Sequence, residues 1–415
     1  MKLISASFFT TISGRQARAA LGFMLPWNWG KIKRGAAVAE LENFFKKMLG
    51  VKYAQTFYNA RGALYHGLKA IGITSDDEVI IQAYTCVSVA NAIIAVKAKP
   101  VYADISLTDL NLDPSKLESL ITSKTKAIIV QHNFGLPADI RAIKAIADQH
   151  GLKLVEDCAH SLGAKYQGQP VGTFGEFSVF SFGRDKVISG VNGGLLVTNS
   201  PEVFNKLPKG LPLPKFWVIL QNLRYPIIAL KSFHTYYFLS LGKALIALSK
   251  KLKLIPEITS SAENQCLDAS ILNYNLPNCL ALLILKELPE LEKVNAHRQK
   301  LALLYQQKLN SDGFKVIQSN NNVNENIYLR CVALTANKKS LDDFLKKHGI
   351  IFGNWYDQTV APKKASLSAC QYVNGSCPNS ELAADQTLNL PNHLNITLAD
   401  AAKVIKLIQQ WRKLQ

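Results

Sequence analysis

The stretch VEDCAHSLGAKYQGQPVGTFGEFSVFSFGRDKVISGVNGGLL, residues 155–196, decides how this chain folds. Leu152 to Val155 reads as a buried strand, and Glu156-Asp157 stand at its C-terminal end, where open α/β sheets place their ligands. Phe177 to Phe182 mixes apolar and small residues as a second strand does, and Gly183-Arg184-Asp185 breaks that pattern just before Lys186. Gly190-Val191-Asn192-Gly193-Gly194 then allows a tight turn whose backbone passes close to whatever the strand ends hold.

Asp157 and Lys186 in that arrangement suggest one chemistry. A lysine on a strand exit can form a Schiff base with an aldehyde, and an aspartate at a strand end can keep a pyridine nitrogen protonated; pyridoxal phosphate requires this pair. The Ser181 hydroxyl, five residues before Lys186, suits the phosphate. Read singly, Asp157 could cap a helix or pair with an arginine, and Lys186 could be a solvated surface lysine. Read together, they favour amino-group chemistry.

The block resembles the signature of the DegT/StrS sugar aminotransferases, members of the aspartate aminotransferase fold (fold type I). The elements that carry the resemblance are Glu156-Asp157-Cys158-Ala159-His160, Gly163-Ala164, Gly172-Thr173-Phe174-Gly175, Ser181-Phe182 to Lys186, and Gly193-Gly194, in the family's order and spacing. Residues 76–114, 125–140, 273–298 and 388–408 also resemble family segments, so the likeness runs over most of the chain. It implies an α/β protein of the pyridoxal phosphate transferase fold type I: a large mixed-sheet α/β/α domain followed by a smaller C-terminal α+β domain. On this reading residues 1–35 are an N-terminal arm, 36–275 the large domain and 276–415 the small one.

Residue by residue, the resemblance implies that Lys186 is the Schiff base and proton shuttle, Asp157 the pyridinium partner and Ser181 a phosphate ligand. His160 falls where the family contacts the ring hydroxyl. Ala60 and Arg61 fall at the helix N-terminus that holds the phosphate, where Arg61 adds a cation. Asn273 falls where an asparagine reaches the phosphate from the neighbouring subunit, which implies a homodimer. The family's ring-stacking aromatic should follow Thr85; Cys86 stands there, and Tyr84, expected on the same strand face, is the substitute. Asn192 and Asn275 replace charged family residues, so the substrate contacts made by those charges do not carry over.

A lysine rather than a histidine at position 186 argues for transamination over sugar dehydration. The function implied is amino transfer from an amino acid such as glutamate to a keto sugar, nucleotide-linked, for surface polysaccharide or glycolipid synthesis. The alternative is a catalytically silent regulatory or interaction protein of the same fold that retains the coenzyme.

The 415 residues, 48% of them hydrophobic, suffice for two domains. Strands alternate with helical patterns from about 50 to 200, and beyond 276 long helices surround short strands at Ile327 to Leu334 and Gly349 to Phe352. Seven cysteines without a C-x-x-C pair describe neither a disulfide framework nor a zinc site, and suit a reducing cytoplasm. Cys158 reads as a small buried cysteine rather than a nucleophile. The scattered histidines show no metal-ligand spacing. The N-terminus lacks the pattern of a cleaved signal and reads as an arm that packs on a partner subunit.

The least expected segment is an insertion at about 205–261. Between Glu202 and Glu257 it has no acidic residue but nine lysines and arginines, interleaved with Phe216, Trp217, Tyr225, Tyr236, Tyr237 and Phe238. Phe238, Leu241, Leu245, Leu248 and Leu252 follow helical spacing with lysines beside them, as a basic amphipathic helix does. It is too short to span a bilayer. Its apolar side could cover the protein's own core or a dimer face, or it could form a peripheral membrane or partner contact through about 210–255. The formal charge of +18 suits anionic lipid or anionic nucleotide sugars, and no nucleic-acid-binding motif is present.

Overall fold

The computed structural model describes residues 4–6, 11, 13–236, 238–257, 259–267, 272–311, 313–318 and 324–415. Tyr237 of the insertion lies outside these residues. Seven strands make the main sheet: β1 (Tyr53–Phe57), β2 (Glu78–Gln82), β3 (Lys99–Ala103), β4 (Thr125–Gln131), β5 (Lys153–Asp157), β6 (Phe177–Ser181) and β7 (Gly194–Thr198). Their spatial order is β1-β7-β6-β5-β4-β2-β3, and only β7 runs antiparallel to its neighbours. Both faces of the sheet are covered, as its nearly continuous apolar strands require. Ile80, Ile128, Val130, Leu154 and Phe180 enter one core, while Val79, Ile81, Ile129, Val155 and Val179 enter the other.

Strand register positions the site. Val179 of β6 lies beside Asp157 of β5, and Ser181 opposite Gly194 of β7, itself opposite Phe57 of β1. Asp157, Ser181 and the exit of β1 therefore meet at one sheet edge. From that exit springs α2 (Ala60–Ala70), preceded in the chain by α1 (Gly14–Phe23).

The second unit is built on an antiparallel sheet of β8 (Lys315–Val316), β9 (Cys331–Leu334) and β10 (Thr387–Leu390). The strand expected over Ile327 to Leu334 begins only at Cys331, because Tyr328, at φ 47°, leaves the extended region. Gly349 to Phe352 contributes only Ile350–Ile351, which pairs in parallel with Ile4–Ser5 of the arm.

Part of the arm packs on its own chain: Ala17, Ala20 and Phe23 of α1 are buried, and Gln16 Nε2 donates to the Ser189 carbonyl at 2.5 Å. The packing also bears on the division expected at residue 276. Leu280, Leu283 and Ile284 of the helix Asn278–Glu287 sit in a core of the main sheet, whereas Leu301, Tyr305 and Leu309 of the next helix, Leu291–Leu309, sit in the core of the second unit. We propose that the boundary lies within Leu291–Leu309.

The insertion is helical: α3 (Phe216–His234), with Pro226 inside it, and α4 (Leu241–Lys251). Helix α4 starts after Phe238, and the residues it buries are Gly242 and Ser249, not its leucines. Among the described residues no helix is long and apolar enough to cross a membrane.

Candidate active site

A cavity of about 330 Å³ opens where β1, β5 and β6 end. Lys186, Asp157, His160, Ser181, Ala60, Arg61 and Cys86 all line it. Local structure explains the Lys186 position: β6 ends at Ser181, Gly183 N–H donates to Ser181 Oγ at 3.4 Å, and Lys186 N–H donates to the Gly183 carbonyl at 3.2 Å. This turn carries the lysine back over the sheet edge.

The Asp157 carboxylate accepts from Ala159 N–H at 3.0 Å and from Gln131 Nε2 at 3.1 Å. Burial pushes its pKa above the usual carboxylate range; the Ala159 N–H, the Lys186 charge and Gln131 oppose that shift. Burial pushes the Lys186 amine down, against Cys86 and Asp157, so more of it is the neutral nucleophile. The His160 pKa falls well below the usual value through burial and the charges of Lys186 and Arg330. Its neutral ring accepts from Phe134 N–H through Nδ1 at 3.4 Å, which leaves Nε2 to carry the proton.

Helix α2 presents its N-terminal turn to the cavity, and its Asn59 cap accepts from Gly62 N–H at 2.8 Å. Gly194 of the double glycine serves this helix rather than the cavity directly: a Cβ there would lie 2.3–2.4 Å from the Asn59 and Ala60 backbone. The Arg61 guanidinium pairs with buried Glu263, which also accepts from Ser88 Oγ at 2.8 Å. Arg61 is therefore anchored sideways, not left as a cation for a phosphate alone.

One assignment is not brought into the cavity. Tyr84 is fully buried behind it, its hydroxyl 2.6 Å from Thr387 Oγ1, and its ring meets Tyr356 edge-on at 5.1 Å. The alternation that placed Tyr84 beside Cys86 fails because β2 ends at Gln82 and the chain bends before Thr85–Cys86. Asn273 is exposed and does not line the cavity of its own chain. Asn275, one of the departures, is tied to the start of the insertion, donating to the Leu211 carbonyl at 2.6 Å.

Sequence reading missed several lining residues. Arg330, Asn354, Trp355 and Tyr356 come from the second unit, and Asn222, Pro256, Glu257 and Thr259 from the insertion. Tyr356 stacks on His160 with ring centroids 6.0 Å apart. Arg184 lies with its guanidinium 4.7 Å from the centre of the Tyr225 ring. Arg184 Nη2, Arg330 Nε and Asn222 Oδ1 are buried without a protein partner, as expected for atoms that face the polar groups of a ligand. With a basic helix terminus, a hydroxyl, a buried carboxylate and a buried amine around one space, the residues fit pyridoxal phosphate.

Glu156 is a structural neighbour of the site. Its oxygens accept from Gly172 and Phe174 N–H at 2.7 Å each, from Gly175 N–H at 3.0 Å and from Ser178 Oγ at 3.1 Å, and lie 3.2 Å from His132 Nε2. His132, Glu156 and Cys158 thus cluster in space although their spacing in the chain gives no sign of it. Burial raises the Glu156 pKa, but His132 and the backbone donors outweigh it and hold it below the usual range. Its stabilisation is therefore present above the unfolded carboxyl pKa and lost as pH falls through the lower folded value. Glu156→Ala is expected to cost about 3–5 kcal/mol and to flatten the acid limb of a melting-temperature-versus-pH curve. Burial raises the Cys158 thiol far above its usual pKa, which leaves it unreactive.

The DegT/DnrJ/EryC1/StrS aminotransferase family matches residues 20–209 and 247–409. The unmatched stretch falls within the insertion. GDP-perosamine synthase of Vibrio cholerae is 39% identical over 173 residues, 42% of this chain and 47% of that protein. The spore coat polysaccharide biosynthesis protein SpsC of Bacillus subtilis is 39% identical over 178 residues, 43% of this chain and 46% of that protein. Each match spans about half the length of the relative. A crystal structure of a DegT DnrJ EryC1 StrS aminotransferase from Brucella abortus is 25% identical, with a TM-score of 0.72 over 96% of this chain and 95% of that one.

Proposed function

We propose that this chain, which belongs to the DegT/DnrJ/EryC1/StrS aminotransferase family, moves an amino group from an amino acid, glutamate first among candidates, to a nucleotide-linked keto sugar. Two relatives support the destination by name: one makes GDP-perosamine and the other serves polysaccharide biosynthesis. The observation that carries the reading is the convergence of Lys186 and Asp157 on one buried cavity with the N-terminus of α2.

Pyridoxal 5'-phosphate is the cofactor, and when bound it supplies an electron sink for the carbon that loses or gains a proton. The chain's own residues do the rest. Lys186 holds the coenzyme, then takes and returns the proton at the donor's α carbon. Asp157 keeps the ring nitrogen protonated, and His160 Nε2–H donates toward the ring hydroxyl. The N-terminal turn of α2 and Ser181 bind the phosphate. Cys86, at the position where the family resemblance places an aromatic, lines the space that would hold the ring. Arg330, part-buried and with Nε unpartnered, anchors the donor's carboxylate. Burial keeps water away from the reacting carbon.

The same reading makes the protein a cytoplasmic homodimer in which Asn273 of the partner subunit completes the phosphate site, with a peripheral contact at the inner face of the membrane through about 210–255. Its seven cysteines, all free, suit that compartment.

Titrating the coenzyme-loaded protein with glutamate tests the reading: the visible absorbance should fall and 2-oxoglutarate should appear. In Arg330→Gln the glutamate concentration for half-change should rise about tenfold to a hundredfold. A spectrum that responds to no amino acid would favour the silent, coenzyme-retaining protein instead.

A further inference from the structure

The N-terminal arm and the insertion form one continuous outer face. Helix α1 packs along α3, and α3 along α4. Trp29 meets Phe216 edge-on with centroids 6.4 Å apart, and Gln221 Nε2 donates to the Lys253 carbonyl at 2.6 Å. Gly242 brings α4 so close to α3 that a Cβ there would lie 2.2 Å from the Ser232 carbonyl oxygen.

What this face shows to solvent is unusual. Trp27 is 74% exposed, Phe238 65%, Leu239 82%, and Leu241, Leu248 and Leu252 of the α4 stretch 50–55%. Eleven of the nineteen exposed large hydrophobic residues among the described ones belong to the arm and the insertion. Lone exposed leucines need no explanation, whereas a concentration of this kind marks a contact surface. The same segments carry one sign of charge: six lysines and arginines and no acidic residue before Glu40, then nine and none between Glu202 and Glu257.

We propose that this face docks on an anionic lipid bilayer, with the aromatic rings and the α4 leucines at the acyl boundary and the lysines against headgroup phosphates. This rests on the membrane contact stated above and deepens it: the partner is anionic lipid, and the arm supplies part of the surface. A second copy of the chain is a poor occupant, because a two-fold interface through this face would set its cations against their own copies. Asn222 of α3 and Pro256, Glu257 and Thr259 after α4 also line the cavity. Docking therefore places the outer side of the active-site wall on the membrane.

Flotation of the full-length protein with vesicles of phosphatidylglycerol and phosphatidylcholine, against phosphatidylcholine alone, tests this. Binding should require the anionic lipid and be lost at about 1 M salt, where charges are screened within about 3 Å. Lys250→Glu with Lys251→Glu, and separately Trp27→Ser with Leu248→Ser, should each lower binding at least about tenfold with unchanged melting. No flotation with either vesicle, or variants that float like the wild type, would overturn the proposal. So would variants that turn a dimer into monomers by light scattering while floating unchanged, which would make a second copy the occupant. Flotation is read from protein mass, so its failure is separable from failure of the glutamate response.

Discussion

Lys186→Ala is expected to abolish the visible absorbance of the coenzyme-loaded protein and to lower turnover by a factor on the order of 10^3 or more. Among the described residues no other amine lines the cavity, so nothing there replaces either the covalent holder or the proton carrier. Melting should hardly change. The turn that positions Lys186 is made by backbone bonds to Gly183 and Ser181, and removal of a buried amine relieves a desolvation cost. A folded variant that keeps its absorbance and its turnover would show that Lys186 neither holds the coenzyme nor moves the proton. Partial rescue of turnover by added small amines would separate the lost proton carrier from a general distortion of the site.

Asp157→Asn should lower turnover by roughly 10^2–10^3, with little change in the Michaelis constant of either substrate. The substitution keeps the shape but removes the charge that holds a ring nitrogen protonated. It also meets a local conflict: Gln131 Oε1 is taken by the Thr85 hydroxyl, so the Gln131 amide group faces position 157 as a donor, and Ala159 N–H donates to the other oxygen. An asparagine can accept from only one of these donors, at about 1–3 kcal/mol of stability. Turnover within about threefold of wild type would refute the role given to Asp157, since the loss of a buried charge from an electron-withdrawing site cannot be that cheap.

The motif residues were legible because each is held by structure close to it in the chain. Asp157 closes β5, Ser181 closes β6, and the turn after β6 brings Lys186 over the sheet edge. Ala60 and Arg61 follow the Asn59 cap directly in the chain, so the start of the helix is set by its immediate neighbour. Tyr84 leaves the face of Cys86 because strand alternation does not carry across the bend at residues 83–84. The ion pair that anchors Arg61 has no local sign in the sequence because its partner, Glu263, lies 202 residues away. Arg330 and Tyr356, in the second unit, and Asn222, in the insertion, carry no local signature that ties them to the site.

By itself, then, the amino-acid order determined the two strands that lead to Asp157 and to Lys186 and the turn between Ser181 and Lys186, since periodicity and turn chemistry are encoded within a few residues. Only the tertiary structure decided that the arm folds onto its own chain, that α4 turns Gly242 and Ser249 inward and Leu241 and Leu248 outward, and that residues from three regions close one cavity. An amphipathic pattern states that a helix has two faces. Which face meets protein depends on the close packing that Gly242 permits against α3, a contact between segments that no local pattern describes.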